Sequence, residues 1–210
     1  MLSTWTLWNL FLAAVPVLLA QALARTARWA RVERRRLALA AIVPLGLLWL
    51  AFLPNACYLM TEWRHFLFNP HFQAVRETTN PNDLSALRVA KQAAFLLAYS
   101  GFGMACFALS IRPIVRALKC WSIRPVRVAV PFFVLVSLGV YLGLIVRLNS
   151  WDLALRPTYV AFLALRALVH PTLLAVILGY AAVLAASYVF CDIWIDGLKL
   201  RMHRLRWARS

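Results

Sequence analysis

The chain has 210 residues, of which 63% are hydrophobic and 14% charged, with a formal net charge of +16; ordinary soluble domains run at roughly 45–50% apolar and about 25% charged. Its apolar residues come in unbroken runs close to the ~18–20 that cross a bilayer's hydrocarbon, which excludes a soluble globular domain, a disordered tail, a coiled coil and a disulfide-stapled secreted module. The positive excess raises nucleic acid as a partner only until the charges are placed along the chain.

The first apolar run covers about 7–24 and stops at Arg25, Arg28, Arg31, Arg34, Arg35 and Arg36. Its Ala22-Leu23-Ala24 has the small-x-small look of a signal-peptidase site. No basic side chain precedes the run, however, and cleavage would strand six arginines outside, so an uncleaved reverse anchor is expected. A second run, about 37–53, is expected to end at Pro54-Asn55, both helix terminators. A polar stretch broken by Asn69-Pro70 and Asn80-Pro81 follows, and Asn82 or Asp83 can then cap a third span at about 93–111. The fourth span is expected at about 128–148 and the fifth at 171–191, opened by Pro171. The segment 158–169, interrupted by Arg166, reads either as an extension of the fifth span or as an interfacial amphipathic helix, and the boundary at His170-Pro171 favours the second. Backbone in hydrocarbon must satisfy its own hydrogen bonds, and the alternating pattern of a membrane β-barrel is absent, so the spans are helices. The expected fold class is all-α: one polytopic bundle over residues 1–210 with about five transmembrane helices.

Charge placement orients the bundle. Residues 25–36, 112–127 and the tail carry sixteen basic and three acidic side chains, against seven basic and four acidic on the other side. The positive-inside rule then puts the N-terminus out and the C-terminus in, so most of the excess charge faces anionic lipid headgroups and nucleic acid is not needed as a partner. Trp5 and Trp8 fall where belt aromatics sit at the outer interface.

The four cysteines, Cys57, Cys106, Cys120 and Cys191, fall at different depths and lack metal-site spacing, so they read as small apolar filler. Gly139 and Gly143 form a small-xxx-small pair suited to close helix packing within the chain. No ionisable residue stands at the centre of an expected span, and the polar side chains there, Asn9, Gln21, Tyr99 and Ser137, suit hydrogen bonds between helices. This weakens a coupled transporter.

Polar chemistry gathers instead at the outer ends of spans two and four, in Leu53-Pro54-Asn55-Ala56-Cys57-Tyr58 with Glu62 and His65, and in Tyr141-Leu142-Gly143 with Arg147-Leu148-Asn149-Ser150-Trp151-Asp152. If a helix resumes at Ala56, Tyr58, Glu62 and His65 fall on one face. A Glu-x-x-His pair presents two metal ligands side by side, and Asp152 or His170 can supply a third to a divalent metal. The plainer alternative pairs Glu62 with Arg147 or Arg64 and leaves His65 wetted at the interface. Arg147 and Asp152 can likewise form an ion pair around their turn, or Arg147 can hold a phosphate or carboxylate in a bidentate fork.

These two stretches, with Asn9-Leu10-Phe11-Leu12-Ala13, resemble a family of bacterial multi-pass membrane proteins, domain of unknown function 1361. Cys57 departs from the proline expected at that point in the family's turn, and Glu62 stands for an aspartate. The resemblance implies a bacterial inner-membrane protein, brings no activity, and maps the shared polar positions to Asn55, Tyr58, Glu62, His65, Arg147, Asn149, Trp151 and Asp152. No complete catalytic set is present in the sequence: no Gly-rich phosphate loop, no His-Glu-x-x-His, and no serine nucleophile with its partners in sequence context. The leading expectation is therefore a non-enzymatic membrane component, without a required cofactor, whose outward polar pocket binds a lipid headgroup, a small solute or a membrane-protein partner. A metal-assisted enzyme on lipid-linked or envelope substrates is the alternative, and a small transporter comes third.

Overall fold

The structure, a computed structural model, describes residues 4–33, 36–62 and 84–207. Their regular secondary structure is all helical: α1 (Thr4–Glu33), α2 (Arg36–Thr61), α3 (Leu84–Cys120), α4 (Pro125–Leu144), a single turn α5 (Asp152–Leu155), α6 (Pro157–Val169) and α7 (Pro171–Trp207). Five of these, α1, α2, α3, α4 and α7, are long and apolar enough to cross a membrane.

The helices outrun the apolar stretches because charge marks the edge of the hydrocarbon and does not stop a helix. Arginine and lysine are good helix formers whose long stems reach back to water. Thus α1 continues through Arg25, Arg28 and Arg31, and α7 through Lys199 and Arg201. The proposed caps Asn82 and Asp83 lie outside the described residues.

The expected stop at Pro54-Asn55 is corrected: α2 runs unbroken through Pro44 and Pro54 to Thr61. Proline removes one backbone donor and crowds the preceding turn, a defect that membrane helices tolerate where a neighbour re-satisfies the freed carbonyls. The fourth helix is shorter than expected, ending at Leu144. Segment 157–169 is a separate helix, bounded by Arg156 (φ −138°, ψ 55°) and by His170 in extended conformation (φ −80°, ψ 118°). That break follows from Pro171, which disfavours helical geometry in the residue before it.

Helices α1, α2 and α3 pack on one another; α4 pairs with α7, α2 faces α4, α3 faces α7, and α6 lies against α4 and α7. The core runs through the middle of this arrangement, with Ala20, Leu53, Phe107 and Leu184 wholly buried. Rings knit the interfaces: Trp49 stacks on Phe132 at 5.6 Å between centroids, and Phe133 lies against both Phe107 and Tyr188. Outward faces are apolar too, with Val130 71% and Phe190 66% exposed. A surface like this is stable only in a solvent as apolar as itself, which is why these helices belong in a bilayer.

A second correction concerns Arg112, expected in a loop. It lies inside α3, 9% exposed, where its Nε bonds Asp192 of α7 at 3.0 Å and its Nη2 bonds Asp196. Helix α3 continues to Cys120 and α7 to Trp207, so the two basic-end extensions face each other and charge pairing takes the place of apolar packing. A span-centred count of charges overlooks such a cluster because it falls just beyond the apolar runs.

Candidate functional site

Both polar stretches meet at the Pro54 turn. Pro54 has no N–H to donate, and its ring forces the carbonyls of the preceding turn outward. The Ser150 hydroxyl donates to one of these, the Ala51 carbonyl, at 3.0 Å, and the Asn55 amide donates to Ser150 Oγ at 3.2 Å. A residue of the second stretch thus bonds the backbone of the turn that Pro54 crowds, one carbonyl along from that of Leu50, whose helical donor the proline removes. Ser150, which sequence reading placed in the second stretch but not among the site residues, is a participant; its signal was its place between Asn149 and Trp151 opposite a helix containing proline.

Tyr58, one turn beyond Pro54, lies flat over the other conspicuous feature, the Gly139/Gly143 pair of α4. Its hydroxyl donates to the Gly139 carbonyl at 3.4 Å, and a Cβ on Gly143 would stand 1.6 Å from that hydroxyl oxygen. Only glycine leaves room for the phenol here. The small-xxx-small pair therefore serves packing within the chain, as expected. On its opposite face α2 approaches α3 as closely: a Cβ on Gly103 would meet the Ala56 carbonyl at 2.6 Å, and the Ser100 hydroxyl donates to the Leu59 carbonyl at 3.1 Å.

Tyr58 and Gly143 are walls of two cavities at once. On one side is a polar cavity of about 170 Å³, lined by Trp5, Asn9 and Leu12 of α1, Asn55, Tyr58 and Leu59 of α2, Glu62 just past its end, Tyr99 of α3, and Leu144. The Asn9 amide lies within hydrogen-bonding reach of the Tyr99 hydroxyl. On the other side is an apolar groove of about 290 Å³ between α2, α4 and α6, with Leu47, Leu50, Leu135, Leu138 and Val160 along it and Asn149 and Ser150 at its polar end.

Of the residues singled out in the sequence, Asn55, Tyr58 and Glu62 share the polar cavity, while Asn149 borders the groove. His65 lies outside the described residues. Arg147 and Trp151 are exposed and line neither cavity. Arg147 has a left-handed backbone, φ 63°, in the turn that ends α4, where the Leu148 N–H donates to the Leu142 carbonyl at 3.1 Å. That conformation is uncommon for a side chain with a Cβ. The suggested Arg147–Asp152 ion pair is not formed: Asp152 Oδ2 accepts the Asn149 N–H at 2.7 Å, fastening the turn locally, and Glu62 is not paired with Arg147, while Arg64, its other suggested partner, lies outside the described residues. Trp5, Asn9 and Tyr99 are cavity residues that sequence reading left out of the site; Trp5, Asn9 and Leu12 follow the i, i+4, i+7 spacing of one helix face, which was the available signal. The cysteines are all free, and Cys57 is wholly buried with its thiol toward the Leu53 carbonyl. Among the described residues no three His, Cys, Asp or Glu side chains cluster as metal ligands.

Fold and site together define a polytopic α-helical membrane protein with a two-sided cavity at one end. The chain belongs to the family described as Protein of unknown function (DUF1361), whose model matches residues 8–186 and so takes in every cavity residue outside α1's first turn. No curated protein and no solved structure matches the chain.

Proposed function

We propose that this end of the bundle is a binding site for the polar part of an amphiphile or a small polar solute, and that the protein acts as a non-enzymatic membrane component. One observation carries the reading: the phenol of Tyr58 stands between a polar cavity containing Glu62 and an apolar groove open to one side of α2. A headgroup and a chain have these two solubilities. Charge distribution supports placing the site on the outer face of a bacterial inner membrane, with the arginine-rich ends of α1, α3 and α7 against anionic headgroups inside.

The test is native mass spectrometry of the purified protein, beside Glu62→Ala and Tyr58→Ala, released from detergent with its bound molecules. A lipid or solute held by the wild type and lost from both folded variants is the expected result; equal retention in all three would sink the site. Elemental analysis of the same samples, with His65→Ala added, addresses the metal-assisted alternative in which Glu62, His65 and Asp152 hold a divalent ion. Near-stoichiometric metal lost on substitution of Glu62 and His65 would replace binding with enzyme chemistry. Orientation is checked with an impermeant maleimide on spheroplasts. Buried Cys57 cannot report, so a single cysteine at exposed Asn149 should label and one at exposed Cys120 should not.

A further inference from the structure

The walls around Glu62 narrow the ligand's chemistry, an argument that rests on the binding reading above. The polar cavity has one carboxylate, Glu62, two carboxamides, Asn9 and Asn55, and three aromatic side chains, Trp5, Tyr58 and Tyr99; no cationic side chain lines it among the described residues. The ion pairs of the described residues lie at the opposite end, on Arg112. Among the described residues no counter-charge faces this carboxylate, and an incoming cation supplies one.

The kind of cation follows from the rest of the wall. A hard metal ion wants six or more oxygens closing around it, whereas here one carboxylate and two amide oxygens alternate with indole and phenol surfaces. An alkylammonium group matches both: its N–H bonds go to carboxylate and amide oxygens, and its polarised C–H surface lies on the π faces. The cavity's volume, about 170 Å³, equals roughly five or six waters at about 30 Å³ each, the scale of an ethylammonium head rather than a sugar chain. The apolar groove of about 290 Å³ shares Tyr58 and Gly143 with it, so a chain joined to that head has a place beside it. We infer that the site takes the ammonium headgroup of an amine-bearing membrane lipid, with Glu62 as its counter-ion, Trp5, Tyr58 and Tyr99 as its aromatic walls, and the lipid's chain in the groove between α2, α4 and α6.

The experiment is competition between dioleoyl phosphatidylethanolamine and dioleoyl phosphatidylglycerol, supplied in equal amounts to delipidated full-length protein and read by native mass spectrometry. Wild type is expected to favour the amine lipid by at least about fivefold. Glu62→Gln, which keeps the side chain's shape, should bring the ratio to near one without loss of total lipid. Tyr99→Leu should lower the ratio and Tyr99→Phe should restore it, since phenylalanine keeps the π face; a structural role for the hydroxyl alone would fail in both. Added ethylammonium should release the amine lipid, and magnesium at equal concentration should not. A ratio near one in wild type, an unchanged ratio in Glu62→Gln, or release by magnesium alone would overturn the inference. Preferential retention of the glycerol lipid, abolished by Tyr58→Ala, would reject the ammonium group yet keep the binding site; no retained lipid of either kind would reject both.

Discussion

The two ends of the bundle handle buried charge in opposite ways. At the basic end Arg112 sits between α3 and α7 with two aspartates on its guanidinium, so charge is matched within the chain. At the polar end Glu62 stands in a cavity where the described wall has amides and rings but no cation. A matched charge holds helices together, while a carboxylate whose described cavity walls hold no cation leaves electrostatic work for something that arrives from outside. This contrast separates architecture from site better than the number of polar residues does, because both ends are polar.

Three sets of variants test it, the largest effect first. Replacing both Asp192 and Asp196 with alanine strands a guanidinium that is nine-tenths buried, and should cost about 3–5 kcal/mol of stability. Adding Arg112→Leu to that variant should recover most of the loss, because uncompensated charge and not missing volume is the cause. Thermal unfolding of the three proteins in one detergent reads this; a triple variant no more stable than the double would mean that the ion cluster does not hold α3 to α7.

Gly143→Ala comes next. Its new methyl would overlap the Tyr58 hydroxyl, so the phenol must leave Gly139 or α4 must retreat from α2, at about 1–3 kcal/mol. Here stability and ligand retention should fall together, since Tyr58 is both a packing element and the partition between cavities. Restoration by Tyr58→Leu of stability but not of retention would sharpen the assignment. The smallest effect is expected for Glu62→Gln, within about 0.5 kcal/mol of wild type in delipidated protein. A large loss in that variant would place Glu62 in the architecture alongside Arg112 and erase the contrast.

The corrections share a cause. Pro54 read as a helix end because proline lacks a donor, and the arginines after 24 end an apolar run without ending a helix, so α2 and α1 pass through them. Whether a helix passes through such a turn depends on what packs against it, and Ser150, ninety-nine positions from Ala51, bonds that carbonyl beside Pro54. Arg112 was misplaced for a similar reason: its aspartates are eighty and eighty-four residues further on, and only the side-by-side packing of α3 and α7 makes the cluster visible. Tyr58 and Glu62 were legible as one face because a helix repeats every 3.6 residues, whereas Asn55, read as part of a helix stop, shares that face only because α2 runs on through Pro54.

Hydropathy, charge asymmetry and periodicity are local properties of the chain, and they were enough to establish an all-helical bundle of five apolar helices, the break before Pro171 and the residues on one face of α2. What meets across that face was decided by tertiary packing alone. Trp5, Asn9 and Tyr99 come from helices α1 and α3, and the two glycines of α4 matter because one phenol from α2 lies over them. Contacts between helices depend on which small surfaces can approach closely enough to pack, and no single stretch of sequence carries both halves of such a surface.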